Sequence, residues 1–291
     1  MLKTKKWIYL DLEKTGCTFL REKFFKIYSD EIFEEKDKHS PQKVFTLVPK
    51  IITIREPESY YFSLWSYGLD KKGGFYNLMK LFYPEKISIL YEYKTRDSFS
   101  YFLDFALNIS SRYPQRSYSR KDIRNYLLNT LNLNSLNFFK NKKNSYDEAY
   151  FLKDEWIPKS SDIYTARILS MLIPLSNRNT FSKDLKADLS YENLKNNLAD
   201  YMPEVILRTA SLNSDFYRYF NENKLNFLNL PEGWQQIFPL NSSPINKSNL
   251  SSSKSSLKEI DKYLSNYHKS LINYKSNISR LLLEKAEAKI N

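Results

Sequence analysis

The chain has 291 residues, of which 42% are hydrophobic and 27% charged, a balance that suits one large globular α/β domain, or a domain with a small appendage. No run approaches the roughly 18 apolar residues that span a bilayer, and the single cysteine, Cys17, excludes an intrachain disulfide. With only two histidines beside it a structural zinc site is not expected, and the chain reads as cytoplasmic and metal-free.

The formal net charge of +12 favours an anionic partner. An abundance of Lys, Asn, Ile, Tyr and Phe with scarce Gly also reads as the compositional bias of an AT-rich genome. The lysines are spread along the chain, without the basic cluster and stacking platform of a nucleic-acid module, so no nucleic-acid partner is expected.

In chain order, Trp7 to Leu12 reads as a buried strand, preceded by basic residues but too short and too soon broken by Asp11 to be a signal-peptide core. A polar turn, Glu13-Lys14-Thr15-Gly16, passes into a helix over Thr18 to Tyr28 with Phe19, Leu20, Phe24 and Ile27 on its apolar face. Lys43 to Ile54 carries a second apolar stretch ending in the β-branched Ile51-Ile52-Thr53-Ile54, closed by Arg55. Glu56-Pro57-Glu58-Ser59 then opens a helix to about Leu69, with proline suited to the first helical position and acids to the first turn. Gly73-Gly74 breaks the chain.

Residues 75–235 read mostly as helix, with segments at Phe99–Asn108, Lys121–Leu131, Ile163–Leu172, Tyr191–Met202 and Ser214–Asn223, and a turn at Pro231-Glu232-Gly233. Residues 1–240 are expected to form the main domain and residues 241–256 a Ser/Asn-rich loop. Residues 257–291 read as one long amphipathic helix whose stripe runs through Leu257, Ile260, Leu264, Tyr267, Leu271, Tyr274, Ile278 and Leu281. Tyr267 and Tyr274 are poor seam residues, so docking on the same domain is preferred over a homodimer through this helix.

Two stretches carry chemistry. Lys14-Thr15-Gly16-Cys17-Thr18 lies where a strand passes into a helix, and there the unpaired amides of the first turn and the helix dipole favour an anion. Gly16 permits close backbone approach, Thr15 and Thr18 offer hydroxyls and Lys14 a full charge. The turn is not the GxxxxGK[ST] loop of P-loop nucleoside triphosphatases. Further on, Arg55 ends a strand and Ser63 lies about two turns into the next helix, where a guanidinium fork and a hydroxyl can hold one phosphate from two sides.

Together, strand–KTGxT–helix followed by strand–R-x-P-x-x-x-x-x-S–helix resembles the two-part site for 3′-phosphoadenosine-5′-phosphosulfate (PAPS) of the sulfotransferase family, most of all its carbohydrate-acting and bacterial members. The resemblance implies a P-loop-like sulfotransferase fold, with a short central parallel sheet surrounded by many helices and a long C-terminal helix. It implies transfer of a sulfuryl group from PAPS to a hydroxyl of an acceptor, a carbohydrate above all, leaving 3′-phosphoadenosine-5′-phosphate. Lys14, Thr15, Gly16, Cys17, Thr18 and Phe19 would hold the 5′-phosphosulfate, Arg55 and Ser63 the 3′-phosphate, and Lys14 would stabilise the leaving oxygen. Leu228-Asn229-Leu230-Pro231 followed by Asn246-Lys247-Ser248 resembles the family segment that closes over the nucleotide, which makes Lys247 a further nucleotide contact.

The family's usual second glycine is Cys17 here, and the second arginine often found in the 3′ motif is Tyr60. Cys17, with no histidine beside it in sequence, is not expected to be a nucleophile. For the acceptor's base, His39 lies between the two motifs, where related carbohydrate sulfotransferases often carry a functional histidine; Glu13 and Asp11 are the fallbacks. His268 is expected at the surface of the terminal helix, and Arg167 in a surface salt bridge. The alternatives are a P-loop kinase or other nucleoside triphosphatase, and an inactive sulfotransferase-like binding protein.

Overall fold

A computed structural model of the chain describes residues 1–35, 42–108, 161–178, 180–181, 189–240 and 257–287. Its centre is a mixed five-stranded sheet in the order β3-β1-β2-β4-β5. The strands are β1 (Leu2–Lys3), β2 (Ile8–Leu10), β3 (Glu34–Glu35), β4 (Lys50–Ile54) and β5 (Val205–Arg208). β2, β4 and β5 run parallel, with Leu10 opposite Ile52 and Ile54 opposite Arg208. β1 runs antiparallel to β2 and β3 to β1. The expectation of a parallel sheet is thus corrected to a mixed one, because Met1 to Lys6 turns back on β2 as a hairpin.

Both faces of the parallel strands are covered, so β2, β4 and β5 are largely apolar on both sides. On one face Tyr9, Ile51, Val205 and Leu207 pack against α1 (Cys17–Tyr28), through Leu20 and Phe24. On the other, Ile8, Leu10, Ile52, Ile54 and Ile206 meet α2 (Pro57–Leu69). The next helices are α3 (Gly74–Phe82), α4 (Ile87–Tyr91), α5 (Arg96–Leu107), α6 (Ile163–Leu172) and α7 (Tyr191–Asn197), followed after β5 by α8 (Leu212–Asn221) and α9 (Trp234–Ile237). α8 and α9 join α1 through Phe216, Tyr219 and Trp234; α5 and α6 lie on the side of α2.

β5 lies inside the stretch that reads as helical. Its four residues carry one short apolar run, and periodicity cannot tell such a run from a buried helix segment. The segment Tyr191–Met202 is helical only to Asn197, and a 3₁₀ turn follows at Ala199–Tyr201. The helix expected at Lys121–Leu131 lies outside the described residues, as do His39 and Asn246-Lys247-Ser248.

The single long C-terminal helix is also corrected. It is three segments, α10 (Leu257–Asp261), α11 (Asn266–Lys275) and α12 (Asn277–Glu287). The Ser265 hydroxyl accepts from the amide of His268 at 3.1 Å and starts α11 afresh. The breaks rotate the stripe: Ile260, Leu264, Ile272, Ile278 and Leu282 enter the core around α2 and α6, while Tyr267 and Tyr274 are 64% and 77% exposed and leave it. His268 is buried rather than at the surface, its ring between the Ser265 hydroxyl (Nδ1, 2.8 Å) and Asp104 on α5 (Nε2, 3.2 Å).

At Gly68 α2 packs tightly on α4, since a Cβ there would stand 2.2 Å from Cε1 of Tyr91. Alanine gains about 1 kcal/mol in helix propensity, but overpacking a filled site costs about 1–3 kcal/mol. Gly68→Ala is therefore expected to lower the denaturant midpoint in equilibrium unfolding.

Candidate functional site

Three parallel strands end side by side, and each delivers a polar residue just past its carboxyl end: the turn Glu13 to Gly16 after β2, Arg55 after β4 and Thr209 after β5. That edge is where open α/β sheets place ligands. The turn is built by backbone handedness. Lys14 has φ 63° and Gly16 φ 86° with ψ 10°, while helical Cys17 follows. Left-handed Gly16 before right-handed Cys17 is the alternation that curls successive amides toward one point. A left-handed lysine costs about 1 kcal/mol or more. α1 begins without a side-chain cap and without an acid in its first turn, so nothing on the helix itself neutralises its positive end.

Thr15 is wholly buried and its hydroxyl is engaged inward, 2.7 Å from the Leu12 carbonyl and 2.6 Å from the Thr53 hydroxyl. Through these bonds the hydroxyl that the sequence reading offers to a ligand pins the turn to β4. Cys17 is 6% exposed and packs in the core beside Leu20. Thr18 and Phe19 stand half-buried on the first turn of α1. Thr209, which sequence reasoning missed, shares its hydroxyl proton between the carbonyls of Thr15 (2.9 Å) and Ile54 (2.8 Å).

Arg55 joins the two motifs. Its Nη1 donates to the Lys14 carbonyl at 3.3 Å and its Nε to the Ser59 hydroxyl at 2.7 Å. Tyr164 on α6 clamps the Arg55 backbone, accepting from its amide at 3.0 Å and donating to its carbonyl at 2.8 Å. Ser63, one turn beyond Ser59 on the same face of α2, is buried. The structure therefore brings residues 14–19 and 55–63 together, and adds Tyr164, whose identity as a partner no local sequence signal announces.

The electrostatics are one-sided. The Lys14 ammonium sits 3.6 Å from the centroid of the Tyr67 ring and has no carboxylate within ion-pair distance among the described residues. Burial pushes it down to about 8, opposed by neighbouring Glu13 and reinforced by Arg55 and Arg167. Burial likewise pushes Arg55 down to about 10. Arg167, expected in a surface salt bridge, is 7% exposed. Its Nη1 meets Oε2 of Glu13 at 2.7 Å and the Tyr60 hydroxyl at 2.7 Å. Tyr60 in turn stacks on Tyr164, with centroids 3.8 Å apart. Among Lys14, Arg55, Arg167 and Glu13 three cations face one carboxylate, an excess of two positive charges in a partly desolvated site.

Asp11 is fully buried and committed, with Oδ1 at 2.6 Å from the Met1 amino group and Oδ2 at 2.9 Å from Nη1 of Arg21. Asp11 and Glu13 are both ion-paired, which argues against either as an acceptor's base. Leu228 and Trp234 pack in the core beside α1, so the turn at Pro231-Glu232-Gly233 sits near that helix. Among the described residues no group of three or more His, Cys, Asp or Glu could hold a metal ion, and no helix is long and apolar enough to cross a membrane. No protein-family model, curated protein or solved structure matches the chain.

The lowered Lys14 value has a definite sign. Its folded pKa lies below the ordinary 10.5, so the half-buried ammonium destabilises the fold; that penalty is full below about pH 8 and is relieved as pH rises toward 10.5. Binding of an anion runs the other way, because only the ammonium attracts it. Affinity for sulfate, whose charge is constant over this range, is expected to be flat below about pH 7 and to fall by up to tenfold per unit above pH 8. Isothermal titration at fixed ionic strength measures it, and an affinity unchanged between pH 7 and 9.5 would exclude Lys14 as the contact.

Proposed function

We propose that the chain is a PAPS-dependent sulfotransferase acting on an acceptor hydroxyl, in first place that of a carbohydrate. One observation carries the reading: the two cations of the motifs, Lys14 and Arg55, stand half-buried and without carboxylate partners among the described residues, joined by a bond of Arg55 to the turn itself. An uncapped helix start with Gly16 at positive φ fits a phosphate or sulfuryl group.

PAPS, when bound, supplies the sulfuryl group and the leaving phosphate. In this reading the amides at the start of α1 hold the 5′ end, and Lys14 neutralises charge on the leaving oxygen. Arg55 and Ser63 hold the 3′-phosphate, Arg55 with the donors that Ser59 and Lys14 leave unused. Tyr164 and Thr209 fix the backbone at the strand ends, so that on ligand arrival only the Lys14 side chain has to move, from the Tyr67 face onto the anion. This reading assigns the acceptor's base to His39 ahead of Asp11 and Glu13, which are ion-paired.

The nucleotide decides. Calorimetric titration is expected to give micromolar or tighter binding of 3′-phosphoadenosine-5′-phosphate and at least tenfold weaker binding of ATP. Preference for ATP would replace this reading with that of a nucleoside-triphosphate-binding protein. Nucleotide binding with no sulfuryl transfer to any of a panel of mono- and oligosaccharides would leave a binding protein.

A further inference from the structure

We propose that Arg167 is a positioning residue which holds the Glu13 carboxylate off Lys14, so that the Lys14 ammonium stays available to an anion. The inference rests on the anion-binding reading of the turn and adds a residue outside both motifs. Glu13 precedes Lys14 directly and is itself buried at 7% exposure. A buried carboxylate beside a half-buried ammonium would ordinarily close into an ion pair, and such a pair would cancel the charge that the turn presents.

Instead Glu13 points to Arg167, 2.7 Å away, and Lys14 lies on the face of Tyr67. An ammonium on an aromatic face is held by only about 0.5–2 kcal/mol, so an incoming dianion can draw it off; a carboxylate partner would compete far harder.

The allocation is fixed mechanically. The Arg167 nitrogen that meets Glu13 also donates to the Tyr60 hydroxyl, and Tyr60 is stacked on Tyr164, which clamps Arg55 by both backbone groups. Arg167 is thereby registered to the second motif while it restrains the first. Gly73, at φ +96°, allows the backbone to crowd this corner: a Cβ there would stand 2.8 Å from the Tyr67 ring and 3.8 Å from Oε1 of Glu13. The charged and titratable groups acting on Lys14 are Glu13, Arg55, Cys17 and Arg167. Of these only Glu13 can pair with it as a carboxylate.

The test uses the full chain and the variants R167Q, R167K and E13Q/R167Q. The Lys14 titration is followed by carbon-13 NMR of reductively methylated protein, assigned with K14R. Nucleotide affinity is read by calorimetry with 3′-phosphoadenosine-5′-phosphate. R167Q is expected to raise the Lys14 pKa by about one unit as Glu13 turns to it, and to weaken nucleotide binding about tenfold. Adding E13Q should reverse both changes, and R167K should stay within about threefold of the wild type. A Lys14 titration unmoved in R167Q, or an affinity loss that E13Q does not restore, overturns the assignment.

Should R167Q not fold, the near-isosteric pair E13Q/R167Q decides, since a loss beyond tenfold there would mean that Arg167 itself contacts the anion. If the wild type binds no nucleotide, the sulfotransferase reading fails, while the Lys14 titration still settles what Arg167 does.

Discussion

Lys14→Ala and Arg55→Ala are each expected to weaken binding of 3′-phosphoadenosine-5′-phosphate about 100-fold while keeping the wild-type circular dichroism spectrum. Removing a charged partner from a desolvated phosphate contact costs about 2–5 kcal/mol, and about 2.8 kcal/mol is a factor of 100. The two losses have different origins. Lys14 contributes charge alone. Arg55 also ties down the turn through the Lys14 carbonyl, so Arg55→Lys should recover little, because an ammonium cannot reproduce the fork.

Stability separates the two further. Lys14→Met removes a half-buried charge already strained toward deprotonation and relieves a penalty of about 1–2 kcal/mol, after discounting for partial exposure. Its melting temperature at pH 7 is expected to rise while binding is lost. A substitution that stabilises the fold and abolishes binding is the signature of a residue kept for function.

The largest stability effect is expected at Asp11. Asp11→Ala strips the buried Arg21 guanidinium and the Met1 amino group of a shared carboxylate. Breaking a buried pair by removing one partner costs about 3–5 kcal/mol, a large part of the 5–15 kcal/mol by which a typical domain is stable. Urea denaturation is expected to show a midpoint far below that of the wild type, with an unchanged slope. The double variant Asp11→Ala/Arg21→Met, which removes the stranded guanidinium as well, should recover much of the loss. A single variant as stable as the wild type would mean that solvent reaches Arg21.

The parts of the site that could be read from sequence are those that local signals announce. Gly16 between an apolar run and an apolar periodicity marks the turn, and Pro57 after a β-branched run marks the start of α2; both elements begin within one residue of the expected places. What could not be read depends on partners distant in the chain. Arg167 looks like an exposed helix residue until β2 and α2 bring Glu13 and Tyr60 to it. β5 is too short to declare itself, so Thr209, which its end positions, was invisible as well. The apolar steps over residues 257–281 fit one helix, and only the caps at Ser265 and Ser276 divide it.

Tyr60 stands where the pattern that the sequence resembles often has a second arginine. Read locally it removes a cation from the 3′ motif. In the fold its hydroxyl accepts from Arg167, so a cation stands beside this position, supplied by α6.

The account is tested most directly by a crystal structure of the chain with 3′-phosphoadenosine-5′-phosphate. It predicts the 5′-phosphate against the amides of residues 16–19 with the Lys14 ammonium moved from Tyr67 onto it, and the 3′-phosphate against Arg55 and Ser63. Nucleotide bound elsewhere, or a nucleotide-saturated crystal with Lys14 still seated on Tyr67, would contradict it.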